Sequence, residues 1–219
     1  MFDFLRNVMI VTTAAAVICG FTGCADKNQP EHSAADDPVA SSSTEAEETG
    51  SFIITMYPDT APITCENFEK LVSEGFYDGL TFHRVVDDFM AQGGDPNGDG
   101  TGGSPDTIEG EFSANGHENN LSHTRSVVSM ARSMDMNSAS SQFFICYSDS
   151  DTFLDGQYAA FGKVTEGMEI VDSFLDVERL VNTNGEMAIP KDPIVITKAE
   201  MIEDDTDGNP RAKFSISIG

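Results

Sequence analysis

The sequence predicts a mainly β domain, folded as a closed or nearly closed antiparallel barrel with few helices. Three observations lead to that expectation. Short runs of β-branched and aromatic residues recur from about residue 51 onward, separated by Gly, Asn, Asp and Ser. Only two stretches carry helical spacing. The 219 residues, 39% of them hydrophobic, suffice for one well-buried core and are short for two.

Residues 1–23 predict a lipoprotein signal peptide: one basic residue, Arg6, then the apolar run from Val8 to Phe21, too short for a comfortable membrane span. Its end, Phe21-Thr22-Gly23-Cys24, resembles a bacterial lipobox, which makes Cys24 the expected lipidation site. An ordinary secretory signal or an uncleaved anchor are the alternatives. Residues 24–50 hold almost nothing large and apolar, cannot bury enough surface to offset ordering entropy, and predict an acidic flexible tether.

The first predicted strand is Ser51–Tyr57, ended by Pro58-Asp59. A helix follows within residues 60–79, with Pro62 in its first turn, an apolar stripe of Ile63, Phe68, Leu71 and Val72, and Gly75 as its stop. Further strands are predicted at Leu80–Val86, Phe89–Gln92, Val127–Ala131, Gln142–Tyr147 and Ala159–Val164. A second helix is expected near Gly167–Leu175, and Ile194–Ile202 reads as the last strand. Residues 204–219 form a tail, first acidic and then weakly β-like, to which the sequence assigns no role.

The formal charge of −25 opposes binding to nucleic acid or to an anionic membrane surface, because both are polyanions. Cys65 and Cys146 lie in apolar contexts and are expected as buried free thiols, with a mutual disulfide as the alternative. No metal-ligand spacing is present, His117 and His123 included, and no metal or cofactor is expected. Asp95-x-Asn97-x-Asp99-Gly100 imitates the opening of a calcium loop, yet position eight is Gly102, position twelve is Asp106, and extended segments precede it. A tight glycine-rich surface loop is the better reading.

Five blocks carry chemistry together: Phe82-His83-Arg84; Phe89-Met90-Ala91-Gln92-Gly93-Gly94-Asp95; Ser129-Met130-Ala131-Arg132; Ser141-Gln142-Phe143-Phe144-Ile145; and Leu154-Asp155-Gly156-Gln157-Tyr158-Ala159-Ala160-Phe161-Gly162-Lys163. In this order they resemble the cyclophilin family of peptidyl-prolyl isomerases. Tyr57-Pro58-x-x-Ala61-Pro62 through Asn67-Phe68 resembles that family's first strand-to-helix junction. The resemblance implies an eight-stranded antiparallel barrel capped by two α-helices, occupying residues 51–203.

The chemistry it implies is modest. Rotation about an X–Pro bond breaks amide resonance, with a barrier of about 18–20 kcal/mol. Reaching a turnover of roughly 1–1000 per second requires on the order of 3–7 kcal/mol of help. Preferential binding of the twisted amide can supply that. By resemblance, Arg84 is the catalytic donor to the prolyl nitrogen, which regains its lone pair in the twisted state. Phe89, Met90, Phe144 and Leu154 would form the socket for the proline ring. Gln92 would anchor a substrate carbonyl or orient Arg84, and Gln142 would line the site. Ala131 and the backbone of Arg132 would pair with the residues before proline. His83 is expected to be a hydrogen-bonded structural residue.

Four positions depart from the best-known family pattern. Phe153 stands where many members carry Trp, which implies weaker binding of cyclosporin-like inhibitors, and Tyr158 replaces a His of many eukaryotic members. Arg132 replaces Asn, and Ser126 occupies a place often held by Gly. The partners implied are proline-containing polypeptides, the membrane enters only through an N-terminal lipid, and a monomer is expected. A proline-peptide-binding chaperone module with little turnover is the alternative to an enzyme.

Overall fold

The computed structural model describes residues 49–219; the stretch expected to be a signal peptide, Cys24 and nearly all of the expected tether lie outside the described residues. Ten strands and two α-helices follow in order: β1 (Gly50–Met56), α1 (Pro62–Ser73), β2 (Thr81–Val86), β3 (Met90–Asp95), β4 (Val127–Met130), β5 (Phe143–Cys146), β6 (Ala160–Glu166), α2 (Met168–Asp172), β7 (Arg179–Val181), β8 (Met187–Pro190), β9 (Ile194–Ile202) and β10 (Arg211–Ile218). Eight of the strands close into an antiparallel barrel in the order β1-β10-β9-β2-β3-β5-β4-β6, while β7 and β8 form a separate hairpin.

Alternation along each strand sends one set of side chains into the barrel. Phe52, Phe82, Phe143, Phe161 and Phe214 meet there, joined by Phe68 from α1 and by Tyr77, all with at most 1% exposure. Phe52 stacks on Phe214 with centroids 5.4 Å apart, and Phe68 lies 4.9 Å from Phe161. The Tyr77 hydroxyl donates to the Ser141 carbonyl at 3.0 Å, so this ring is buried without an orphaned polar atom.

α1 starts at Pro62 and buries Thr64, Cys65, Phe68, Leu71 and Val72. Ile63, expected in that stripe, is exposed, because the buried face runs through Thr64, Phe68, Leu71 and Val72 at helical spacing. Glu111 caps the helix from far along the chain: its carboxylate accepts the Ile63 and Thr64 N–H groups at 3.1 and 2.8 Å. α2 is shorter than expected and continues as a 3-10 turn over Ser173–Asp176, burying Val171 and Phe174.

The tail supplies the missing strand. β10 lies between β1 and β9, pairing Phe214 with Phe52 on one side and with Ala199 on the other. The period-two pattern Ala212, Phe214, Ile216 points inward, and all three have no exposed surface. Thus the last strand is β10 rather than Ile194–Ile202, and the domain runs past residue 203. The acidic segment before it is a turn in which Asp205 accepts the Asp207 and Asn209 N–H groups at 2.9 and 2.8 Å. Cys65 and Cys146 are free and buried. Burial pushes the Cys65 thiol up to about 12 and raises that of Cys146 too, so both stay protonated at neutral pH.

Candidate functional site

The barrel register sets one row of side chains across five strands. Arg84 lies opposite Gln92, Gln92 opposite Phe144, Phe144 opposite Ser129, and Ser129 opposite Ala160. Cross-strand partners share a face, and this row faces away from the interior, where Val85, Ala91, Ile145 and Val128 pack instead. On the row's face a second apolar cluster forms from Met90, Val127, Ala131, Phe144, Cys146, Leu154, Tyr158 and Ala160, with Phe89 packed at its edge. Six residues expected in or beside the proline socket therefore gather in one place, distinct from the barrel core.

Phe153 stands at the rim, 43% exposed, with its ring 5.8 Å from that of Phe89. Leu154 is buried beside it on the 3-10 turn Asp151–Leu154. Tyr158 meets Phe144 edge-on at 5.9 Å, and burial raises its phenol. The Arg132 guanidinium lies over the Tyr158 ring at 4.8 Å and donates from Nε to the Gln157 carbonyl at 3.0 Å.

Beneath Phe144, His123 is buried between Asp155 Oδ1, at 2.8 Å from Nδ1, and Ser129 Oγ, at 3.0 Å from Nε2. The Ser-His-Asp order invites comparison with a hydrolase triad. Ser129 has no exposed surface, so no substrate can reach its hydroxyl, and the chain acts as a buried brace under Phe144. Desolvation lowers the His123 pKa.

Arg84 sits where the apolar cluster meets a polar cavity of about 640 Å³ lined by Gln92, Gln142, Ala131, Arg132 and the loop Gly98–Ser104. A relay of amides leads to it. Gln142 Nε2 donates to the Gly100 and Gly102 carbonyls at 3.2 and 2.7 Å, Gln92 Nε2 donates to Gln142 Oε1 at 2.8 Å, and Arg84 Nη1 lies 3.4 Å from Gln92 Oε1. The guanidinium carbon also lies 5.7 Å from the Phe89 ring centre.

The calcium-like motif is spent on its own backbone. Asp95, 1% exposed, accepts the Asn97 N–H at 2.8 Å through one oxygen and the Gly100 N–H at 2.6 Å through the other. Gly98 and Gly100 take φ of 68° and 89°, which side-chain-bearing residues rarely adopt, and so allow the loop to fold around that carboxylate. His83 corrects its expectation. It lines the cavity, desolvation lowers its pKa, and neither ring nitrogen finds a hydrogen-bond partner among the described residues.

One contact was not foreseen. Glu186 grips Arg84 by two hydrogen bonds, Nε to Oε2 at 2.8 Å and Nη2 to Oε1 at 2.9 Å. It is carried by the β7–β8 hairpin, which the sequence reading passed over although Asn184-Gly185 between Leu180-Val181 and Met187-Ala188-Ile189 is a strong hairpin signal. Nothing in the sequence says which barrel residue that hairpin would meet.

Residues 42–201 match the family model for cyclophilin-type peptidyl-prolyl cis-trans isomerases. The chain belongs to that family. Peptidyl-prolyl cis-trans isomerase B of Bacillus subtilis is 45% identical over 132 residues, 59% of this chain and 88% of the relative. Peptidyl-prolyl cis-trans isomerase-like 1 of Aspergillus oryzae is 39% identical over 156 residues, 71% of this chain and 91% of the relative. Among solved structures, a cyclophilin-type isomerase of Cryptosporidium parvum, crystallised in the presence of the dipeptide Ala-Pro, is similar with a TM-score of 0.53 and 29% identity, covering 67% of this chain and 98% of that one. This cyclophilin differs from the family model's span in one respect: its closing strand, β10, lies beyond the matched residues.

Proposed function

We propose that this cyclophilin accelerates X–Pro rotation in exported or surface proteins, with Arg84 donating a hydrogen bond to the prolyl nitrogen as the amide twists. One observation carries the reading: a guanidinium with only 16% of its side chain exposed stands at the junction of the apolar cluster and the polar cavity. A twisted prolyl amide needs both surroundings, because its ring is apolar and its flanking peptide groups are polar. Phe89 and Phe153 offer the ring its apolar contact surface, and Met90, Phe144 and Leu154, buried to 3% exposure or less, form the packed floor behind them that a substrate ring reaches only if this cluster opens. Gln92 holds a substrate carbonyl or Arg84, with Gln142 behind it. The Ala131 N–H is already bonded to the Gln142 carbonyl at 2.9 Å, so strand-like pairing with substrate falls to the Arg132 backbone. Tyr158 walls the site, its ring fixed under Arg132.

Arg84→Ala should lower turnover on an X–Pro peptide by about a hundredfold or more, as loss of a preorganised donor does, while peptide binding persists. Equal rates for the variant and the wild type would end the arginine mechanism. The exported setting rests on residues 1–23 and on the lipobox-like run ending at Cys24. Mass spectrometry of the mature chain should find a diacylglycerol-modified Cys24 at its N-terminus; an intact Met1 would overturn the anchor.

A further inference from the structure

We infer that Glu186 is a positioning residue for Arg84, holding the guanidinium in the orientation the isomerisation needs; the inference rests on the arginine mechanism proposed above. A guanidinium has five N–H groups. Glu186 takes one from Nε and one from Nη2, side-on, at 2.8 and 2.9 Å. Gln92 offers an oxygen to Nη1 at 3.4 Å, longer than an ordinary N–H···O bond and too weak to fix the group alone. The carboxylate therefore sets the plane of the fork. It leaves the N–H groups at the Nη1–Nη2 end for an acceptor beyond the protein.

The carboxylate is itself held. Asn182 Nδ2 donates to Glu186 Oε2 at 3.1 Å, while Asn182 Oδ1 accepts the Glu186 N–H at 3.0 Å. The hairpin beneath it is fixed at its base, where Arg179 pairs with Asp87 at 3.0 Å in the β2–β3 turn, and Ala188 is fully buried. One hairpin is thus clipped at two points, to Arg84 itself and to the turn that follows its strand. A surface ion pair with no task needs no collar of this kind, since exposed pairs contribute little.

Kinetics of the full chain on an X–Pro peptide test this with wild type, Glu186→Ala, Glu186→Gln, Asn182→Ala and Arg84→Ala. Glu186→Ala should lower kcat about tenfold with KM changed by less than about twofold, because a small misplacement of a catalytic group has effects of that size. Its Arg84 Nε–H NMR resonance should broaden while barrel amide resonances stay in place. Glu186→Gln keeps one acceptor and should fall between, and Asn182→Ala should lose less in the same direction. An unchanged or increased kcat in Glu186→Ala overturns the inference. If that variant loses its fold, unchanged kcat in both Glu186→Gln and Asn182→Ala overturns it instead. Arg84→Ala matching the wild type would defeat the underlying mechanism, a failure distinct from loss in Arg84→Ala without loss at Glu186.

Discussion

Inside the barrel, aromatic rings meet aromatic rings, and the two tyrosine hydroxyls of that core, on Tyr77 and Tyr147, each have an acceptor. Outside that interior, in the cavity wall and in the turns between strands, the irregular features accumulate. His83 has two unpartnered ring nitrogens and Asp151 one unpartnered oxygen among the described residues, and Ser126 and Asp88 hold φ of 72° and 54°. A closely packed interior stabilises the fold, whereas strained and unsatisfied groups persist in the cavity wall and connecting turns. Packed interior and irregular periphery divide the molecule between them.

The largest test of that division removes interior packing alone. A chain ending at Glu203 lacks β10 and with it Ala212, Phe214 and Ile216, none of which has any exposed surface. Circular dichroism and amide NMR should show no cooperative fold. A milder cut, Phe214→Ala, should cost about 3–5 kcal/mol in urea unfolding while leaving the groove residues in place. A truncated chain that melts like the full one would show that the fold does not depend on this interior packing.

An intermediate effect is expected at the periphery, on the 3-10 turn Asp151–Leu154. Burial pushes the Asp151 carboxyl up to about 6. The folded state then holds a proton that the unfolded chain releases at lower pH, so this group lowers stability as pH rises from about 4 through about 6. The penalty is fully present above that window and reaches about 3 kcal/mol at most. Asp151→Asn should gain about 1–3 kcal/mol at pH 8 relative to pH 4, read as the difference between the two unfolding curves. The lowered pKa values of His83 and His123 weaken both proteins alike in acid and cancel in that difference. Parallel curves would remove Asp151 from the set of irregular groups outside the core.

The smallest effect should come from Ser126→Gly. The Ser126 backbone is fixed by bonds to Cys146 and Val164 at 2.9 and 2.8 Å, and its positive φ suits glycine. Thermal melting should show a gain of about 0.5–1 kcal/mol. A loss would mean that the hydroxyl contributes more than the backbone strain costs.

Much of this was legible from sequence. Seven barrel strands and both helices were marked by their spacing, because period-two and period-3.6 patterns are local. The eighth strand was also patterned, as Ala212, Phe214 and Ile216, but its acidic lead-in and its place after an apparent final strand hid that pairing. The site shows the same limit. Arg84, Met90, Gln92 and Phe144 announce themselves in contiguous blocks, and strand register brings them together. Glu186 belongs to no such block, and its grip on Arg84 depends on how a hairpin leans on β2, which no pattern along the chain encodes.

The position of β10 has a consequence in time. Its Ile218 N–H donates to the Thr49 hydroxyl, 169 positions away, so the two ends of the folded region meet. A chain that emerges from its N-terminus first keeps β1 and β9 as open edges until β10 arrives. Until then the polypeptide stays threadable, and the arrival of β10 is what lets the barrel shut.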